Sequence, residues 1–273
     1  MQLTANVHVE TGYRGANVSY VTTEQGVVMI ESPQRPTDAT AWRTQIEEKG
    51  QLRYLINTES HGDHFAGNFF FNVPVIAHQK TRDAILAADK NQLLERIAEI
   101  DPEGLSQVIR SEYRINAPSI TFSERLTLHL GSHTFHLIHL PGHTAGQTGV
   151  FVPQERVVFT GDNIFYKLQA FLHDADPFGW LQSLERLGEL DVDHIVPGHG
   201  EVCDKSYLTE QASFVQEWID TVRKAINQGW TKEEAMDRIS LLDRYPMAPG
   251  NEPRGPEVQR NNVSRLYDVL SQE

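Results

Sequence analysis

Glu59-Ser60-His61-Gly62-Asp63-His64 places four side chains able to bind a metal within six positions. The stretch directly follows residues 54–57, a short apolar run that reads as a buried strand. Alternate residues of an extended segment point the same way, so Glu59, His61 and Asp63 are expected to share one side. His64 is then expected to turn as the chain enters a helix. Burying two carboxylates and two imidazoles together without a cation is costly. So short a span does not easily deliver all four to one ion, but it can serve two ions lying side by side.

Three further stretches have a common form: Pro141-Gly142-His143-Thr144, Phe159-Thr160-Gly161-Asp162 and Pro197-Gly198-His199-Gly200. Each sets one His or Asp beside a Gly after an apolar run, and Gly permits a sharp turn and a close backbone approach. Taken singly, His143 or His199 reads as a structural histidine and Asp162 as a turn residue or helix cap. Their joint occurrence, each after a strand, points to one assembled site.

The segments between these motifs have a regular order. Residues 17–22 and 26–30 read as a hairpin, and residues 38–49 as a helix stopped by Gly50. Residues 73–77 read as the next strand. Residues 79–112 change to helical spacing, with Leu86, Leu93, Ile97, Ile100 and Val108 among charges. They are expected to be an insertion of two or three helical pieces that either covers the core or walls the substrate. Strands return at 126–130 and 135–140 around Gly131-Ser132, then at 148–152, 157–160 and 195–196. Residues 177–190 read as a helix, and residues 206–228 as a long amphipathic one. Thr231 and Glu234 form a capping box, a Pro- and Gly-rich loop spans 246–256, and a last helix carries Val258, Leu266, Val269 and Leu270. This alternation predicts a layered α/β sandwich with sheets inside and helices outside. The expected organisation is a single domain over 1–273, with the insertion at about 79–112 and a C-terminal helical extension at about 206–273.

These motifs resemble the metallo-β-lactamase superfamily, whose signature is H-x-H-x-D-H followed by a distal His, Asp and His. The resemblance covers roughly residues 17–203 and implies an α/β four-layer αβ/βα sandwich with two mixed sheets. It also implies two divalent metal ions, with zinc the expected metal. His61 and His143 would bind the first, Asp63, His64 and His199 the second, and Asp162 would bridge them together with a water or hydroxide. There is one departure, because the first His of the signature falls at Glu59. Three readings stand: Glu59 ligates the first metal through oxygen, leaves that metal weak or absent, or marks a different metal chemistry. Carboxylate oxygen is harder than imidazole nitrogen, which brings iron or manganese into consideration.

The function this implies is metal-dependent hydrolysis of an ester, lactone, amide or thioester in a small molecule. Zn²⁺ alone lowers the pKa of a bound water to about 7. Asp63 or Asp162 would hold a proton for the leaving group, and the Tyr166 hydroxyl is a candidate donor to an oxyanion. Alternatives are a carboxylate-rich di-iron or manganese redox enzyme, a β-lactamase, and a relative without chemistry. His173, Trp180, Phe171 and Phe178 are candidates for an apolar pocket wall. His139, Asn68 and Thr144 are candidates to orient ligands. His129, His133 and His136 read as surface residues or as outer partners of ligand residues.

The bulk numbers narrow the field. A net charge of −13 argues against a nucleic-acid partner, which needs clustered Lys and Arg. Cys203 is the only cysteine, so no internal disulfide forms, and a reducing cytoplasmic location is expected. Residues 1–6 lack the basic and apolar regions of a secretory signal. No apolar run approaches the length of about 18 residues needed to span a bilayer, so no membrane is expected. The long C-terminal helices would either pair two subunits as a homodimer or cover the sheet.

Overall fold

A computed structural model describes residues 1–110 and 113–272. Two mixed sheets face each other. The first has six strands in the order β1 (Val7–Glu10), β2 (Val18–Thr23), β3 (Gly26–Ile30), β4 (Leu52–Ile56), β5 (Val75–His78) and β6 (Ile120–Phe122). Its first two pairings are antiparallel, and β3 to β6 run parallel. The second sheet has the order β11 (His194–His199), β10 (Val157–Phe165), β9 (Thr148–Val152), β8 (His133–His139) and β7 (Arg125–Leu130). Only β10 and β11 pair parallel there.

Alternation along the strands builds the layers. Val28 and Ile30 of β3 join Phe135, Leu137, Val150 and Phe159 in the apolar core between the sheets. Val27 and Met29, one position out of phase, join Ala39, Trp42 and Ile46 of α1 (Pro36–Glu47) on the outer face. The second sheet is covered in the same way. Val158 and Ile195 pack with Trp180, Leu184 and Leu187 of α6 (Pro177–Gly188) and with Phe214, Trp218 and Val222 of α7 (Ser206–Asn227). The result is the expected αβ/βα sandwich.

Between β4 and β5 lies a single turn, α2 (Gly62–Phe65). The insertion is three helices: α3 (Gln79–Ala87), α4 (Lys90–Ile100) and α5 (Pro102–Arg110). It is tied to α1 by Asp101, whose carboxylate accepts from Thr37 N and Oγ1, both at 2.9 Å. Residues 111 and 112, the end of the expected insertion, lie outside the described residues. The C-terminal segment adds α8 (Lys232–Arg238), with the expected capping box, and α9 (Gly255–Leu270). α9 packs Val263, Leu266 and Leu270 into the core of the second sheet. Strand β1 had no counterpart in the sequence reading: four residues with only Val7 and Val9 buried give a weak signal. β10 is longer than its apolar run, because it continues through shifted register from Phe159 to Phe165.

Candidate metal centre

The chain leaves β4 through bends at Thr58 and Glu59 and reaches His61, the extended N-cap of α2. The helix then starts at Gly62, one residue before the acidic side chain. This changes the expected geometry, since Asp63 does not continue the alternation with Glu59 and His61. It projects from the first helical turn, where a carboxylate suits the positive end of the peptide dipoles. Asp63 is thereby grouped with His64 and His199.

Glu59 is fully buried. Its Oε2 accepts from Ser60 N at 2.6 Å and His61 N at 2.8 Å, which fixes the carboxylate. That carboxylate lies 3.1 Å from His61 Nδ1 and, through Oε1, 2.9 Å from His64 Nε2. His143, on the loop between β8 and β9, presents Nε2 at 3.0 Å from His61 Nδ1. Its Nδ1 donates to the Phe171 carbonyl at 2.7 Å. That bond fixes the tautomer, leaving the Nε2 lone pair aimed at the cluster.

Asp162 sits where β10 breaks register, after Gly161 at φ +51°, a backbone state that favours glycine. Its neighbour on β11 is Gly198, where a Cβ would lie 1.8 Å from Asp162 Oδ1. Only glycine lets these two strands approach so closely. His199 Nε2 lies 3.3 Å from Asp162 Oδ2 and 3.3 Å from Asp63 Oδ2, and Asp162 Oδ1 is 3.3 Å from His64 Nε2. His143 Nε2 is 3.6 Å from Asp162 Oδ2. Asp162 therefore touches both groups.

Four overlapping sets of possible ligand atoms result: Glu59, His61 and His143; Asp63, His64 and His199; Glu59, His64 and Asp162; and, more exposed, His61, His173 and Asp174. Ligand atoms held about 2.0–2.1 Å from a tetrahedral metal lie about 3.4 Å from each other, close to the separations here. His64 is 0% exposed, yet neither ring nitrogen has an aligned hydrogen-bond partner, and the same is true of Asp162 Oδ1. The nearby carboxylate oxygens sit at ion-pair distance without hydrogen-bond geometry. Orphaned buried polar atoms are costly, and a cation at the centre would satisfy His64 Nε2 and Asp162 Oδ1, while His64 Nδ1 faces Glu31. The donor set, mixed nitrogen and oxygen, fits divalent metal ions.

The charges settle accordingly. Burial alone would lower the three imidazoles of His61, His64 and His199. Glu59 outweighs it at His61 and at His64, where Asp162 adds to the effect, and holds both well above the usual value. At His199 Asp162 and Asp63 outweigh it, lifting the ring to about 10. His143 goes the other way, since burial pushes it down to about 4 despite Asp162. Glu59 and Asp162, which burial alone would raise, are held well below the carboxylate range by His61 and His64 and by His199 and His64 respectively. Asp63 is also lowered, by His64 and His199 against burial.

The other candidates divide. Tyr166 packs on Tyr207 with ring centroids 4.7 Å apart, and Lys167 Nζ lies 5.0 Å from its ring centroid. It lines the cavity on the far side of His199, while the cavity over the ligand cluster has Phe171 and His173 in its wall. Trp180 is buried behind His143, and Phe178 packs on the core. His139 Nε2 donates to Ala145 O at 3.0 Å and stacks on His78, bracing the loop that carries His143. Thr144 Oγ1 faces Gln147 at 3.4 Å. Asn68 bonds Asn57, which holds the His64 carbonyl. His133 is buried and bonds Glu155, against the surface reading, His136 is half-buried, and His129 is exposed.

Two carboxylates escaped the sequence reading. Glu31 closes β3, is 2% exposed, and faces His64 Nδ1 at 3.3 Å. It has φ 61°, an uncommon state for a residue with a side chain. A lone acid ending a wholly apolar strand was the available signal. Asp174 Oδ2 lies 3.1 Å from His61 Nε2. It sits in an aromatic loop, with no local pattern to mark it.

A four-layer sandwich with clustered His, Asp and Glu between its sheets and loops defines an α/β protein with a candidate metal site. The chain belongs to the metallo-beta-lactamase superfamily, whose family model matches residues 11–199. A Caenorhabditis elegans protein named Beta-lactamase-like protein 2 homolog is 26% identical over 154 residues, covering 56% of this chain and 44% of the relative. A hydroxyacylglutathione hydrolase from Mesorhizobium japonicum is 28% identical over 148 residues, covering 54% and 53%. The chain thus spans about half the length of these two relatives. Among solved structures, a metallo-beta-lactamase from Pontibacter korlensis superposes with TM-score 0.63 at 21% identity, covering 79% of this chain and 97% of that one. This last likeness concerns the fold. Among the described residues, no helix is long and apolar enough to cross a membrane.

Proposed function

We propose that this chain is a hydrolase of small-molecule esters, thioesters, lactones or amides working through two divalent metal ions. Glu59, His61 and His143 would hold the first ion, Asp63, His64 and His199 the second, with Asp162 reaching both. The observation that carries the reading is the set of buried, unsatisfied atoms at His64 and Asp162, ringed by ligand atoms at metal-site separations. When bound, such ions acidify a water and polarise the oxygen under attack.

The chain's own residues supply the rest. A cavity of about 430 Å³ opens over the cluster and is walled on one side by Leu93 and Ile97 of α4. The insertion is thus a wall of the site as well as a cover. Phe65 and Phe171 line it too and exclude water from the reacting group. Asp63 has a side chain 26% exposed and lines that cavity, whereas Glu59 is enclosed. The Asp63 carboxylate is therefore the group placed to take a proton and pass it to the leaving group. The hydrogen bond from His143 Nδ1 to Phe171 O keeps that imidazole from turning.

The test is reconstitution with zinc, elemental analysis and turnover of simple aryl esters. The expected result is close to two ions per chain, with activity abolished by a chelator and restored by metal. Less than one ion per chain after reconstitution would overturn the reading. One observation favours a second chemistry: Glu59 gives the site three carboxylates and lies between His61 and His64. A di-iron or manganese redox centre would show bound iron or manganese with visible absorption, while a colourless two-zinc protein favours hydrolysis. The zinc-loaded protein assayed on a chromogenic lactam tests the β-lactamase alternative.

A further inference from the structure

The ligand cluster is ringed by positive charge in a strongly acidic chain. Lys and Arg number 24 against 37 Asp and Glu. Yet, ligand residues aside, the charged groups lining the cavity over the cluster are Arg14, Arg96 and Arg254 against Asp89 alone. Asp89 is committed, since its side chain caps α4 by accepting from Asn91 N at 2.7 Å. The adjoining cavity, on the other side of His199, shares Arg14 and adds Arg35 and Lys167 against Glu201.

The three arginines come from unrelated parts of the sequence: the loop before β2, helix α4 and the turn preceding α9. Only the fold gathers them. Their present partners leave them available. Arg14 Nη2 donates to Gly250 O at 2.9 Å, while its Nε is buried without a partner. Arg96 contacts Glu99 at 3.2 Å and, through Nη2, Asn251 Oδ1 at 3.5 Å, and Arg254 contacts Glu257 at 3.6 Å. Both glutamates are more than half exposed, and such surface pairs within one helix or turn hold weakly. A guanidinium presents a planar fork of donors that matches a carboxylate or a phosphate. The wall of the same cavity is apolar at Phe65, Leu93, Ile97 and Phe171.

Resting on the hydrolase reading above, we infer that the substrate is an anion. It is an acyl ester or thioester with an apolar middle and a carboxylate or phosphate remote from the scissile bond, seated by Arg14, Arg96 and Arg254. The bond broken is acyl carbon to ester oxygen or thioester sulfur. Water supplies OH to the acyl carbon and a proton to the leaving group.

The test uses the metal-loaded protein and matched 4-nitrophenyl esters: butyrate, which is neutral, against the hemiglutarate, which ends in a carboxylate, and a phosphonate-ended analogue. The native protein is expected to favour one or both anionic esters in kcat/KM by about tenfold. Arg96→Gln and Arg254→Gln are each expected to erode that ratio several-fold, and 0.5 M salt to erode it similarly. Comparing the two anionic esters tells carboxylate from phosphate. In parallel, calorimetry compares glutarate with butyrate, expecting glutarate to bind more tightly and the advantage to shrink in both variants. Equal rates for neutral and anionic esters, or a preference that survives both variants, would overturn the inference while leaving hydrolysis standing. Absence of turnover on every ester counts against the hydrolase reading, and the glutarate comparison still decides anion recognition.

Discussion

Two carboxylates stand behind the ligand cluster, and their surroundings differ. Glu31 backs His64 from inside the sandwich, held by Thr58 N at 2.8 Å, by Thr58 Oγ1 and by Asn57 Nδ2 at 3.3 Å. Asp174 backs His61 from a loop, with its side chain 60% exposed. Glu31 is built on β3, and its neighbours belong to the segment leaving β4, so its position is as fixed as the core. Asp174 depends on a loop between β10 and α6. One imidazole is therefore preorganised by the fold and the other is steadied from the solvent side. The ion held by Asp63, His64 and His199 is accordingly expected to bind more tightly than the one held by Glu59, His61 and His143.

The sharpest way to break this comparison is Glu31→Gln, which keeps the shape and removes the charge facing His64. Loss of such an outer partner costs about 10–100-fold in metal affinity or activity. The expected outcome is a drop of that size for one of the two ions, read by competition with a chromophoric chelator. An unchanged affinity for both ions would make Glu31 a packing residue only. The substitution is also expected to leave the fold intact, since the Gln oxygen can still accept from Thr58 N.

What could be read in advance follows the same division. The seven candidate metal-binding side chains that the fold brings together were legible because their residue types recur in short glycine-containing stretches after apolar runs. The two sheets were legible because alternation survives burial of one face, and the three insertion helices because 3.6-residue spacing is local. The direction of Asp63 was not, because α2 starts at Gly62 and not two residues later; only the family resemblance had grouped it with His64 and His199. Glu31 and Asp174 were not, because each acts across a fold contact, 33 residues from His64 in one case and 113 from His61 in the other. For Tyr166, sequence proximity alone decides nothing. It lies four residues after Asp162, but its ring is drawn to Tyr207.

A second test, smaller in effect, concerns protons. In the metal-free protein His199 is raised from 6.5 to about 10, and His61 and His64 are raised in the same direction. Groups raised on folding contribute stability in full below their unfolded value and lose it as pH climbs through the folded one. His143, lowered to about 4, works the other way: keeping it neutral costs stability as pH falls from 6.5 toward 4. The lowered carboxylates Glu59 and Asp162 add a further loss below the ordinary carboxylate range. Metal-free protein should thus be most stable near pH 6.5, its Tm falling by several degrees toward pH 9.5. Bound cations replace the protons, so the metal-loaded protein should lack that alkaline decline. Thermal melts across pH with chelator and with zinc check this, and a flat metal-free curve above pH 6.5 would count against it.

The smallest effect is expected at Asp174→Asn. The pair with His61 is hydrogen-bonded at 3.1 Å but open to water, and an exposed pair contributes about 0–1 kcal/mol. That corresponds to no more than about fivefold in affinity for the ion near His61. Salt should shrink it further, whereas the Glu31 effect, enclosed by protein, should withstand salt. Measuring both variants at low and at 0.5 M salt therefore separates burial from charge as the source of the difference. If Asp174→Asn proved the more damaging of the two, the loop between β10 and α6 would have to be closed over the site in solution, and the ordering of the two ions would reverse.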